Sequence, residues 1–403
     1  MRLKAIPAVL FTAASLASAA SAQTVYEFTK IADTSGSLKS LSFQPAINNQ
    51  GQVAFHANRL ADECIYRGDG VSLTEIAKTG GGTFIKFLGV WPSINDAGVV
   101  AFEAAYAPSG KGIHVGDGST TTQLAQTSDV YPDISDMPVI SNSGRVVYGI
   151  KYSSGDWAIR SSKVGASTIE YAKENSGGFS GLTPTMPSIN SNDEVVFRGY
   201  RGSPIQNGIH VDTGPTTVTV TDGMGLINDF GNAPDINSSG QVVFLGGVDG
   251  TPGSFSLYVG GVGETPVLAA SKDVYSSSSF STAEINNNGK IAFTAQVTAT
   301  GAHGIFTGND PAQDRVAMLG DPLEGSTITG ILMGRNGLND QGQVAFWAEL
   351  ADGRQGIFVA TPVPEPSAML MLGLGSLTAL AFLPRRRRIG RRPAPRSQSP
   401  QPR

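Results

Sequence analysis

A nine-residue pattern recurs through the middle of this chain, and its spacing constrains the fold more than any other feature. The clear copies are INNQGQVAF (47–55), INDAGVVAF (94–102), INSSGQVVF (236–244), INNNGKIAF (285–293) and LNDQGQVAF (338–346). Two looser copies, ISNSGRVVY (140–148) and INSNDEVVF (189–197), fill the gaps, with Ser141 in place of Asn and Asp193 in place of Gly. Successive second positions lie 47, 46, 49, 47, 49 and 53 residues apart, so one supersecondary unit repeats seven times.

Each copy reads as a turn followed by a strand. The amide of Asn48, Asn95, Asn237, Asn286 or Asn339 can bond the backbone two residues on, and Gly51, Gly98, Gly240, Gly289 or Gly342 at the fourth position tolerates positive φ, a pairing that suits a type I turn. These ten residues are read as structural. The Val-Ala-Phe run that follows places large residues on one face and a small one on the other. It contains little polarity, so both faces must be covered, as in a sheet stacked between neighbouring sheets. A Pro precedes most copies (Pro45, Pro92, Pro138, Pro187, Pro234), and a Gly-Ile strand follows, as at 112–113, 208–209, 304–305 and 356–357. A further β-like stretch such as 73–77 completes the unit.

Four strands in about 48 residues match one blade of a β-propeller. The seventh unit stops near residue 360 without its fourth strand, and a matching stretch, 26–32, precedes the first unit. The expected fold is therefore all-β: a seven-bladed β-propeller of four-stranded blades whose ring the N-terminal strand closes. A stacked or split β array is the alternative. The 50 Gly and 23 Pro suit so many turns, and 40% hydrophobic content supports a real core. The repeats resemble the tandem NxxGxxxAF-repeat proteins, an exported bacterial family seen with several surface anchors. That resemblance spans about residues 24–360 and implies architecture and location only.

The two ends read as targeting segments. Residues 1–22 have a basic start (Arg2, Lys4), an apolar stretch and a small-residue site ending at Ala22, so a signal peptide cleaved between Ala22 and Gln23 is expected. Residues 367–383 form an uncharged segment of 17 residues, enough for one transmembrane helix, and arginines at 385–388, 391 and 392 follow. The positive-inside rule keeps that cluster cytoplasmic and the preceding domain outside. Val363, Pro364, Glu365 and Pro366 stand just before this segment. Pro-Glu-Pro, one apolar helix and an arginine cluster together resemble the PEP-CTERM sorting signal of Gram-negative bacteria. The resemblance implies processing by an exosortase, a membrane enzyme, and production alongside extracellular polysaccharide. The expected organisation is signal peptide 1–22, propeller ectodomain 23–361, sorting signal 362–392 and a disordered tail 393–403.

Chemistry is sparse. Residues 23–362 hold 19 basic and 32 acidic side chains, a net charge near −13, which disfavours nucleic acid and anionic polymers as partners. The single Cys64 excludes a disulfide framework and a Cys-clustered metal site, and reads as a buried thiol. No nucleophile elbow, P-loop, dinucleotide fingerprint or HExxH motif occurs. His114 and His210 fall in the slot that holds Phe306 and Phe358 elsewhere, which reads as packing; His56 and His303 share no metal-type spacing. The acidic turns permit Ca²⁺, with 190–194 the nearest cluster, but no loop has a full ligand pattern. Trp91, Trp157 and Trp347 could pack or could stack on a sugar. No catalytic residue, metal ligand or cofactor is assigned. Three readings of function stay open: a non-enzymatic surface protein binding matrix, exopolysaccharide or another surface ligand; a self-associating surface-layer component; and a glycan hydrolase or lyase with acids converging at the axial channel.

Overall fold

A computed structural model describes residues 24–364, apart from 136, 185, 203–205, 249 and 252. The expected signal peptide with its Ala22–Gln23 cleavage, Glu365 and Pro366, the apolar segment 367–383, the arginine cluster and the tail lie outside the described residues. Among the described residues no helix is long and apolar enough to cross a membrane.

Seven antiparallel sheets follow one another along the chain, one for each repeat, and form a seven-bladed β-propeller. In blade 1 the inner strand Ala46–Ile47 pairs with Val53–Asn58, then come Glu63–Gly68 and the outer strand Leu73–Lys78. Blade 7 is assembled from both ends of the described chain. Its strands Ser326–Leu338, Val344–Leu350 and Gln355–Val363 are completed by Val25–Asp33, which pairs from Val25↔Val363 to Asp33↔Gly356. This pairing closes the ring and removes the open edge that the last blade would otherwise present.

The inner strands reach further upstream than the expected Pro-x-Ile-Asn stretch, through a second short segment before the Pro. In blade 5, Asp229–Phe230 and Asp235–Ile236 pair separately with Val242–Gly247. Blades 1, 3 and 4 are built the same way. Pro45, Pro138, Pro187 and Pro234 stand at these breaks and lack the N–H a ladder needs, whereas Pro92 of blade 2 lies within a continuous strand, at its register slip. Blades 2 and 7 keep one long inner strand but slip register, between Leu88 and Ser93 and between Met333 and Leu338.

The core is a set of seams between blades. Val53, Phe55 and Ala57 pack backwards onto Ala345, Ile357 and Val359 of blade 7. Ala54, on the opposite face, packs forwards beneath Phe84, Phe87 and Phe102 of blade 2. The Val-Ala-Phe alternation therefore serves two interfaces at once: large residues fill one seam and the alanine admits the next blade's phenylalanines. The residue after the Phe also faces the following blade, and it changes from blade to blade: His56 meets Phe87, Arg198 bonds Asn232 and Trp347 meets Phe43. The Gly of the Gly-Ile strands has a steric cause. A Cβ on Gly112 would lie 2.4 Å from the Ala125 carbonyl, because the outer strand bulges there.

Enlarging the alanine tests this packing. Ala54→Leu should cost about 1–3 kcal/mol by overpacking the seam between blades 1 and 2, read by urea unfolding of the purified chain. An unchanged midpoint would mean that the seam has slack.

Candidate functional site: the axial channel

The site is built from the seven turns themselves. Asn48 illustrates the plan. Its N–H donates to the Gln52 carbonyl (3.0 Å) and the Gly51 N–H donates back to Asn48 (3.1 Å), with Gly51 at φ +74°. Its side-chain Oδ1 accepts from the N–H groups of Gln50 and Gln52 (3.1 and 2.9 Å). Its Nδ2 donates to Gln52 Oε1 (3.0 Å) and to the Asn95 carbonyl of the next blade (2.9 Å). Every donor and acceptor of this buried amide is used.

The inter-blade bond repeats around the axis. Asn95 donates to Ser141 O (3.4 Å), Asn190 to Asn237 O (2.9 Å), Asn237 to Asn286 O (3.0 Å) and Asn286 to Asn339 O (2.9 Å). Asn339 then donates to Asn48 O (3.0 Å), across the junction where the chain ends meet. The one different link is at Ser141, which is too short to reach. There the hydroxyls of Ser141 and Ser143 donate to Asp193 Oδ1 (2.7 and 2.8 Å) instead. Asp193 adopts φ +63° where other blades have Gly, so its turn is preserved despite the substitution.

A second tier lies at the next residue of each turn. Asn49 N–H donates to Asp96 Oδ1, Asp96 N–H to Asn142 Oδ1, Asn287 N–H to Asp340 Oδ1 and Asp340 N–H to Asn49 Oδ1, at 2.8–2.9 Å. The Asn49 amide also donates to both Asp96 Oδ2 (3.1 Å) and Asp340 Oδ2 (2.8 Å), so two carboxylates from non-adjacent blades converge on one side chain. Ser191 and Ser238 leave the opposite side of this tier free of carboxylates. Together the tiers line a cavity of about 110 Å³ on the axis, room for several waters.

Deeper in the channel lies a group of ionisable side chains of which the sequence singled out only Asp235, as one of the acidic turn residues. Asp235 accepts from Ser188 Oγ (2.6 Å) and from Ile285 N–H (3.0 Å). Glu284, on the next blade, accepts from Asn336 N–H (2.9 Å). Arg335 is buried and donates to the carbonyls of Pro187 and Pro234 (both 3.3 Å), tying blade 7 to the inner strands of blades 4 and 5. Burial, and then the adjacent Asp235 carboxylate, hold the Glu284 carboxyl well above its usual range, against the opposing pull of Arg335. Folding therefore favours the neutral form of Glu284. Glu284 and Asp235 both occupy the x slot of Pro-x-Ile-Asn, which reads Ala46, Ser93, Val139, Ser188, Asp235, Glu284 and Gly337 around the ring. The acids in blades 5 and 6 were visible in that slot; their use was not, because it depends on the slot facing the next blade's backbone.

The remaining candidates lie away from the axis. His114 and His210 are buried against Phe102 and Phe197, and burial pushes both imidazoles down to about 4. His56 bonds Ser42 Oγ (2.7 Å) and is likewise kept neutral by burial. The Cys64 thiol is buried and pushed up. Asn190 Nδ2 binds Glu194 within its own turn (2.6 Å). Among the described residues no three His, Cys, Asp or Glu side chains stand close enough to hold a metal ion. Trp91, Trp157 and Trp347 are each half-buried. Val363 and Pro364 end the described chain, Val363 within the last strand.

The sequence matches the model of a family described as "Family of unknown function (DUF7453)" over residues 17–200 and 269–370. It also matches the PEP-CTERM protein-sorting motif over residues 362–387. No curated protein matches it. Among solved structures, an oligogalacturonate lyase from Vibrio parahaemolyticus is 10% identical, with 86% of this chain and 99% of that one covered at a TM-score of 0.49. Polysaccharide lyase Uly1 is 9% identical, with 80% and 90% covered at 0.46. The complex of KlAtg21 with the coiled-coil of AgAtg16 supplies a chain 14% identical, with 82% and 95% covered at 0.49.

Two substitutions test the channel. Asn286→Ala leaves the Asn339 carbonyl and two turn N–H groups without their partner, and should cost about 1–3 kcal/mol in chemical unfolding. For Glu284 the neutral form is favoured by folding, so its contribution is full below the unfolded value of 4.5 and is lost as pH rises toward the raised folded value. Glu284→Gln should therefore gain stability relative to the parent as pH increases from 5 to 8; a constant difference across that range would contradict the assignment.

Proposed function

This chain belongs to the DUF7453 family of unknown function, and from that premise we propose that it is a non-enzymatic surface propeller that binds an extracellular ligand, with matrix exopolysaccharide the class assigned. The PEP-CTERM motif marks an exported, membrane-anchored surface protein of a Gram-negative bacterium and fits processing by an exosortase. The proposal adds the finer parts: removal of a signal peptide after Ala22, anchoring through segment 367–383, and kinship with the tandem NxxGxxxAF-repeat proteins.

The observation that carries the reading is the second tier of the channel mouth. Its carboxylates and amides are fixed in position by bonds to one another, presenting an ordered array of oxygens and N–H groups. Such an array suits the hydroxyls of a neutral glycan, and its preorganisation limits the entropy cost of binding. The net charge near −13 on residues 23–362 favours neutral over anionic polymers. One observation favours the enzymatic alternative: Asp96 and Asp340 converge on Asn49, and Glu284, whose neutral form burial favours, lines the same cavity. A pair of carboxyl groups, one neutral and one ionised, is the apparatus of glycoside hydrolysis.

The test is thermal melting of the full chain against fractions of the host's own exopolysaccharide, with product analysis on the same mixtures. An upward shift without products is expected, because a ligand that binds only the folded state raises its stability. Released oligosaccharides would favour the enzyme instead. Absence of any shift, with association that grows with protein concentration, would favour a self-associating surface layer. In the host, replacing Pro364 and Pro366 by Ala should stop exosortase processing and leave an unprocessed precursor, read by immunoblot of membrane fractions.

A further inference from the structure

The slot after Val-Ala-Phe faces the following blade, and in blade 2 it is filled by Glu103. The Glu103 side chain is fully covered by its surroundings, and it borders a cavity of about 360 Å³ between blades 2 and 3. That volume falls within the ordinary range of about 300–1,000 Å³ for small-molecule sites. Lys111, at the start of the neighbouring strand, stands 3.6 Å from Glu103 Oε1 and 2.5 Å from Asp133 Oδ1, and donates to the Ile134 carbonyl at 2.9 Å. The opposite wall includes Trp157, whose backbone N–H is held by Glu174 Oε2 at 2.8 Å. This crevice thus offers one indole, an ammonium fixed by its three partners and a carboxylate acceptor, Asp133, that is 42% exposed.

We infer that this crevice is a binding subsite for a neutral pyranose unit of a glycan; the inference rests on the glycan-binding reading above and adds where, and which sugar class. The chemistry separates the candidates. Among the lining residues two carboxylates, Glu103 and Asp133, face the one ammonium of Lys111, which disfavours a uronate or another anion even with Lys151 Nζ 5.7 Å from the Trp157 ring centre. Lys111 inside the cavity opposes a bare cation. A neutral sugar meets neither obstacle: its C–H face lies on the Trp157 indole, and a neighbouring hydroxyl donates to the exposed carboxylate of Asp133. Other blades have closed the equivalent slot. His56 is covered by Phe87, Thr294 receives the Met333 N–H, and Trp347 packs on Phe43.

The experiment titrates the full chain in detergent with cellotetraose, maltotetraose and a galactan tetramer, and with tetragalacturonate as the anionic counterpart. Calorimetry and intrinsic fluorescence are read together. At least one neutral tetramer should bind and shift tryptophan emission, and tetragalacturonate should not. Trp157→Phe should abolish the emission change, and Asp133→Asn should weaken binding at least tenfold, with both variants melting like the parent. Asp133 is at the rim, so its amide variant guards against a folding failure at Trp157. Neutral binding within twofold of the parent in both variants would overturn the subsite while leaving the glycan-binding reading intact. Tighter binding of tetragalacturonate, or no neutral tetramer bound, would also overturn it. If the host exopolysaccharide fails to bind as well, the broader reading falls with it.

Discussion

The bond from a buried asparagine amide to the carbonyl of the next blade's asparagine is the interaction on which the architecture depends. The same side chain shapes its own turn through Oδ1 and reaches the neighbouring blade through Nδ2. Local and global structure are therefore set by one residue type. A lost link leaves a buried carbonyl without its donor, which costs more than the bond's net contribution when made. Because Asn339 makes this bond to Asn48 where the first and last repeats meet, closure of the ring is held at its inside as well as by the outer strand Val25–Asp33.

Departures from the repeat fall into two kinds. Some are compensated: Asp193 takes over both the left-handed turn position of Gly and the partner that Ser141 cannot reach. Others add chemistry the repeat does not need for folding. Asp235, Glu284 and Arg335 place buried ionisable groups on the axis, and Glu103 places one in the crevice between blades 2 and 3. Buried charge lowers stability unless it is paired and hydrogen-bonded. Its presence on only a few blades of a repeating scaffold is where functional specialisation should be sought.

Much of this was legible in the sequence, for physical reasons that differ by feature. Turn chemistry and period-two alternation are local, so the Asn and Gly positions and the two-faced Val-Ala-Phe strand could be read from a few residues. The closing strand was legible because the repeat is circularly permuted. Inter-blade bonds were not, since their partners are 46–53 residues apart, or 291 apart across the ring closure, and depend on blade geometry. Arg335 was hidden because it lies within a register slip, where strand periodicity no longer tells which way a side chain points. The breaks in the inner strands had a visible marker in Pro45, Pro138, Pro187 and Pro234, which lack the N–H a ladder needs. The targeting segments fall outside the described residues, so their reading rests on sequence and on the matched sorting motif.

The central claim is that the asparagine links make seven blades one cooperative ring. Hydrogen exchange of the chain carrying Asn339→Ala, compared peptide by peptide with the parent, addresses it most directly. If the ring is one unit, protection should fall by a similar factor in blades 3 and 4, opposite the altered link, as in blades 7 and 1. Loss of protection confined to blades 7 and 1 would contradict the account and make each blade's stability its own.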